Sequence, residues 1–261
     1  MGSAEQDNRF HLEGVSRTLA LVPEYATVGG LGEAAAWLCL REEMYVSLAR
    51  QLPITIDLSR FQESVAILRG DDASWASKMV LYLAYLLKRA FGKFASSDDL
   101  AKSEGEIAHW YSSKPASYEP ILNRPRSARA HRALPEIWML SKHHAIGLQY
   151  FHIAQIVLNV MRQRVQPRPY DVLSDNRNRE RSIRHHLLTV VGIAASNSNA
   201  ENTWFTARHC LSVYGGCLRK REDQDAAVDF LSRMSERTGW RIDSLLHSLR
   251  SQWAEDSSDS G

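Results

Sequence analysis

Four side chains carry the catalytic chemistry this sequence offers: Arg41, His152, Arg208 and His209. Arg41 stands in the apolar stripe of Trp37, Leu38, Tyr45 and Leu48, and a guanidinium turned inward must meet an acceptor, because an unpaired buried charge is costly. That acceptor is either a carboxylate from another helix or an anionic or carbonyl-bearing ligand. Further along, His144, Leu148, Phe151, Gln155 and Leu158 project in one line from a helix, with His152 beside it. Polar groups on such a stripe either orient a ligand in a helix-lined pocket or are core side chains satisfied by hydrogen bonds. A histidine has the intrinsic pKa of a general base, but no nucleophile stands next to these. In residues 201–214, Glu201, Trp204, Phe205, Arg208 and Ser212 share one face, opposite Thr203, Ala207, Cys210 and Tyr214. A face mixing aromatics with both charges suits a pocket wall or a buried ion-pair layer, a Glu201–Arg208 pair included. The expected ligand-binding set is therefore Tyr45, His144, Leu148, Phe151, Gln155, Glu201, Trp204 and Phe205. His185 and His186 are adjacent, and His144 and His152 are two turns apart, so neither pair matches metal-chelating spacing. No metal or other cofactor is expected.

The elements that must position these residues read as helices throughout. Apolar spacing of three and four predicts helices over 33–52, 71–94, 97–112 and 142–164. More follow over 179–196, 199–214, 222–238 and 242–254, with Gly215-Gly216 and Gly239 as stop signals. From Ala145 to Met161 no residue is charged, which predicts a central helix buried on several sides. Pro115, Pro120, Pro125 and Pro135 punctuate a stretch that can be neither regular helix nor central strand. An ordered wrap anchored by Tyr118, Ile121, Leu122 and Trp138 fits it. The reading is all-α: a single compact domain, 1–261, of about eight helices. Its ordered core spans roughly 10–254, with a mobile loop at 165–178 and a frayed tail at 255–261.

Composition excludes several function classes. Lys and Arg total 32 against 30 for Asp and Glu, so no global field draws nucleic acid. Two basic patches, Arg124 to Arg132 and Arg162 to Arg184, lack interleaved aromatics and read as solvated loop charge. Arg219-Lys220-Arg221 is a weak nuclear-import signal. No apolar run reaches the roughly 18 residues of a membrane span. The segment MGSAEQDNRF lacks the pattern of a secretory leader, and three cysteines give no disulfide framework, so the nucleus or cytoplasm is expected rather than secretion.

One resemblance covers nearly the whole chain. The runs AAAWLCLREEMYVSLARQLPITIDL (34–58), EIAHWYSSKPASYEPI (106–121) and LPEIWMLSKHHAIGLQYFHIAQIVL (134–158) carry its first half. IRHHLLTVVGIAASNSNAENTWFTARHCLSVYGGCLR (183–219) and TGWRIDSLLHSLRSQW (238–253) complete it. Their order resembles the fungal-specific transcription-factor domain, the C-terminal regulatory region of binuclear zinc-cluster factors of the ARCA-like kind. Members of that family join this region to a DNA-binding head whose six cysteines hold two zinc ions. Cys39, Cys210 and Cys217 include no C-x2-C pair, so the head is missing from these residues. The resemblance implies a stand-alone regulatory module that binds a small hydrophobic or anionic ligand, or a protein regulator, without touching DNA. The alternative is a cofactor-free enzyme of fungal secondary metabolism. Its reaction is cyclisation or isomerisation of a hydrophobic substrate, promoted by pre-organised donors in a dry pocket.

Overall fold

The computed structural model describes residues 23–165 and 172–258. Among them the chain is essentially all-α, with eight helices longer than a single turn. They are α1 (Gly30–Arg50), α2 (Asp72–Ala90), α3 (Ser97–Ser113), α4 (Lys142–Val165), α5 (Val172–Ser196), α6 (Glu201–Tyr214), α7 (Arg221–Thr238) and α8 (Asp243–Ser258). Where one compact domain is expected, the backbone divides into two compact units. One holds residues up to Lys114 together with Val160–Val165; the other holds Pro115–Asn159 and the residues from Gln166 onward.

Local chemistry explains the helix starts and stops. Asp71 caps α2 by accepting the Ser74 amide at 2.8 Å. Ser96 and Asp99 form a reciprocal capping box at the start of α3. Gly239, in the left-handed region at φ 71°, closes α7 by donating its amide to the Ser235 carbonyl.

In the first unit α1 buries Ala36, Trp37, Leu40, Met44 and Leu48, while Leu38 is 58% exposed and Arg41 only half-buried. The buried stripe keeps Trp37 and Leu48 of the expected one but leaves Leu38 outside, and the charges it encloses are acidic. Glu33 accepts the amides of Gly29, Val65 and Ala66 at 2.7–3.1 Å. Glu43 accepts the Thr55 amide and hydroxyl at 2.6 and 2.5 Å and the Ile56 amide at 3.3 Å. Each carboxylate gathers backbone donors that a segment outside the helix would otherwise leave unsatisfied. In the same unit α2 packs on α3, and the buried Trp110 donates its indole N–H to the Trp75 carbonyl at 2.9 Å.

The second unit is built around the uncharged part of α4, where Ala145, Ile153, Ala154, Ile156, Val157 and Leu158 are all buried. Gln149, fully enclosed, donates to the carbonyls of Val190 in α5 and Thr203 in α6, which ties three helices together. The Pro-punctuated stretch forms a small ladder, β1 (Leu122–Arg124) antiparallel to β2 (Glu136–Trp138). Asn197 fastens β2 by donating to the Ile137 carbonyl and accepting the Met139 amide. Gly192 of α5 passes so close to Pro135 that a Cβ there would collide with its carbonyl oxygen and lie 2.7 Å from its ring. At the far end, Trp253 of α8 donates to the Gly215 carbonyl at 2.9 Å, and Leu249 covers Gly215.

The expected mobile loop at 165–178 is helical from Val172; residues 166–171 lie outside the described residues. The expected ordered segment 10–22 and the last residues of the tail, 259–261, lie outside them too. The remainder of the expected frayed tail is helical to Ser258.

Candidate functional site

The residues singled out from sequence fall into three groups. Arg41 and Tyr45 belong to the first unit; both are half-buried, and the Arg41 guanidinium lies 6.0 Å from the Trp37 ring centroid. Trp37 in turn meets Phe61 edge-on at 5.1 Å. The deep burial expected of Arg41 is taken instead by Glu33 and Glu43, whose oxygens are engaged by backbone amides.

The second group lies along α4 in the second unit. His144 is buried with its ring 4.5 Å from that of Tyr118, and Leu148 is buried nearby in sequence. Phe151 and Gln155 are half-buried, and the Phe151 ring meets His152 at 5.3 Å. His152 is paired with a histidine that sequence spacing had not joined to it: its Nδ1 is 2.9 Å from Nδ1 of His186 on α5. His185 adds a third imidazole, 5.1 Å from His186. Burial, then the charges of His186 and His185, push the His152 pKa down to about 3. Burial and His185 bring His186 down to about 4. Both rings are therefore neutral at ordinary pH, and one hydrogen is shared along the Nδ1–Nδ1 contact. No group of three or more His, Cys, Asp or Glu among the described residues is placed to hold a metal ion.

The third group converges. On α6, Trp204 is buried, Phe205, Arg208 and His209 are half-buried, and Glu201 is exposed. The end of α7 and the turn after it bring Arg237 and Trp240 onto the same face. The Arg237 guanidinium lies 5.4 Å from the Trp204 ring centroid, and that of Arg208 lies 5.9 Å from the Trp240 centroid. Phe205 meets Trp240 edge-on at 5.5 Å, and Trp204 packs on Phe230 at 5.5 Å. Glu201 does not reach inward; its ion-pair partner is Arg237, at 3.8 Å. His209 is held neutral, its pKa brought down to about 4 by burial and by the Arg208 charge. The Trp204 indole nitrogen is buried and has no hydrogen-bond partner among the described residues.

This corner joins two indoles, two guanidiniums and one exposed carboxylate, and it gathers the expected residues Glu201, Trp204, Phe205 and Arg208. Arg237 and Trp240 were missed because they follow α6 by more than twenty residues. The visible signal was T-G-W at 238–240: a helix stop that turns a tryptophan back onto the preceding helices.

The cysteine thiols are quiet. Burial pushes the Cys210 and Cys217 thiols up to about 12, and that of Cys39 is also raised. Several basic side chains make ion pairs while staying partly or largely exposed. Arg162 pairs with Glu104 at 2.7 Å, Arg219 with Glu180 at 2.7 Å, and Arg221 with Asp225 at 3.1 Å. Arg126 is clasped to the fully buried Asp223. No helix among the described residues is long and apolar enough to cross a membrane. Comparison with protein families, with curated proteins and with solved structures finds no match for this chain.

Proposed function

We propose that the chain acts as a regulatory module of the fungal zinc-cluster transcription-factor type, receiving a small molecule or a protein regulator through its second unit without contacting DNA itself. The observation that carries the reading is the α6 corner, where Trp204, Arg208, Arg237 and Trp240 stack as two guanidinium–indole pairs. Tryptophan and arginine are the residue types that concentrate binding energy, and Trp240 is 51% exposed. The order of sequence segments and the all-α fold support the family part of the reading. The alternative, a cofactor-free cyclase or isomerase, needs His152 or His209 to move a proton near neutral pH. Groups held at about 3 and about 4 are weak bases there.

The test is to fuse the chain to an unrelated DNA-binding domain upstream of a reporter in a fungal host. A change in reporter output that Trp240→Ala removes is the expected result, together with no specific shift of DNA by the purified chain. Unchanged output with both proteins, or tight sequence-specific DNA binding by the chain alone, sinks the proposal.

A further inference from the structure

We infer that Ser127, at the tip of the β1–β2 hairpin, is a phosphorylation site for an arginine-directed serine kinase, and that Arg132 across the hairpin receives the phosphate. The inference stands apart from the α6 corner and concerns the basic run from Arg124 to Arg132. Beyond β1 the two arms meet in one further rung. The Ser127 amide donates to the Arg132 carbonyl at 3.0 Å, and the Arg132 amide donates to the Ser127 carbonyl at 2.9 Å. His131, left-handed at φ 49°, closes the tip and donates its amide to the Ala128 carbonyl. No residue from Arg124 to Arg132 is buried, so an enzyme can grasp this run without opening the core. Arg126 pins it to the second unit through the Ala133 carbonyl and Asp223. The Ser127 hydroxyl accepts the Ala130 amide at a long 3.3 Å, and its own hydrogen has no acceptor among the described residues.

The charge around this hydroxyl has one sign. Between Leu122 and Pro135 the chain holds Arg124, Arg126, Arg129, His131 and Arg132 and no acidic residue. Arg126 is engaged by Asp223, and Arg124 lies 3.4 Å from Glu136 with its side chain 60% exposed. Arg129 and Arg132 make no ion pair among the described residues. Kinases select substrates by charge pattern, and an acidic substrate groove would meet Arg124 three residues ahead of the Ser127 hydroxyl. Two other serines, Ser182 and Ser244, also follow an arginine by three residues. Both stand inside helices, α5 and α8, where the chain cannot extend into such a groove.

The phosphoryl donor is magnesium-bound ATP. The Ser127 Oγ attacks the γ-phosphorus, and the new Oγ–P bond forms as the bond to the β–γ bridging oxygen breaks. ADP leaves, and the hydroxyl proton passes to the kinase's catalytic carboxylate. The product carries close to two negative charges and three acceptor oxygens. Residues directly opposed across an antiparallel rung point to the same face with Cβ atoms about 4.5–5.5 Å apart. The Arg132 guanidinium therefore reaches the phosphate on Ser127, and its planar fork matches two of the oxygens.

The closing experiment incubates the full, folded chain with magnesium ATP and the catalytic subunit of cyclic-AMP-dependent protein kinase. One phosphoryl group per chain is expected, placed on Ser127 by fragment mass spectrometry and missing from Ser127→Ala. Arg124→Gln should slow its incorporation about tenfold, the worth of one charge-assisted contact. In a phosphorus NMR titration of the modified chain, the phosphate should lose its second proton below the usual pH of about 6. Arg132→Gln should return that step toward the usual value. No incorporation, or incorporation that favours Ser182 or Ser244, overturns the site. A titration that Arg132→Gln leaves unchanged overturns the part given to Arg132. Neither result touches the reporter output, so failure here and failure of the regulatory role are distinguishable.

Discussion

The Nδ1 atoms of His152 and His186 face each other at 2.9 Å across α4 and α5. Two imidazoles in this position must be complementary: one Nδ1 carries the hydrogen and the other accepts it. Protonating both removes the acceptor and sets two positive charges against each other in a half-buried place. The contact therefore exists only while the pair holds no more than one extra proton, and it couples the α4–α5 packing to acidity.

Stability should depend on pH with a definite sign. Unfolded, each histidine titrates near 6.5; folded, the two sit at about 3 and about 4. Between those limits the unfolded chain binds more protons, so stability rises with pH and falls as the solution is acidified below 6.5. Each group contributes at most about 1.4 kcal/mol per pH unit. In His186→Asn an amide that can donate or accept replaces the imidazole, and only His152 of the pair still titrates. Urea midpoints from pH 7 to pH 5 should show a shallower decline for that variant than for the parent. Parallel declines would contradict the assignment.

Removing the Glu43 carboxylate should cost more than any change at Arg41. Glu43→Ala strands the Thr55 amide and hydroxyl and the Ile56 amide, so a loss of about 3 kcal/mol is expected. Glu43→Gln, which keeps one acceptor oxygen, should lose less. Arg41→Gln, at a half-buried site beside Trp37, should stay within about 1 kcal/mol. Denaturant midpoints of the three variants give the ranking.

The same comparison shows where sequence reading stops. Helix positions were legible because apolar spacing, a cap such as Asp71 and the stop at Gly239 act over three or four residues. The uncharged run in α4 announced its own burial. What periodicity could not supply was the orientation of α1. Its buried face is chosen by amides that arrive from Thr55, Ile56, Val65 and Ala66, so two glutamates outcompeted Leu38 and Arg41 for the interior. The candidate site divides in the same way. Trp204, Phe205 and Arg208 share one helix face and were visible together, whereas Arg237, Trp240 and His186 enter through tertiary packing that leaves no mark on spacing.

Gly192→Ala should destabilise the protein although alanine favours helix. The propensity gain is about 1 kcal/mol. Against it, the new Cβ would strike the Pro135 carbonyl oxygen and sit 2.7 and 2.8 Å from its ring. Relieving that overlap means moving backbone, and overpacking costs about 1–3 kcal/mol. A lower melting temperature with undiminished helical circular dichroism at low temperature is expected; a higher one would show that β2 yields freely.

Arg126→Ala should be more damaging than Arg126→Ala and Asp223→Ala combined. Asp223 is fully buried and burial raises its pKa, so losing the Arg126 guanidinium, with only the more diffuse Arg184 and Lys220 charges left, should cost about 3 kcal/mol. The double variant removes the carboxylate too and should recover part of the loss. A double-mutant cycle in urea measures the difference.

The pairing of Trp253 with Gly215 sets a boundary for anyone shortening this protein. The final helix supplies both the donor for the Gly215 carbonyl and, through Leu249, the lid over that glycine. A version ending before Asp243 would leave the chain after Tyr214 uncovered and invite proteases to the junction of α6 and α7. Trimming from that end must therefore stop short of Trp253.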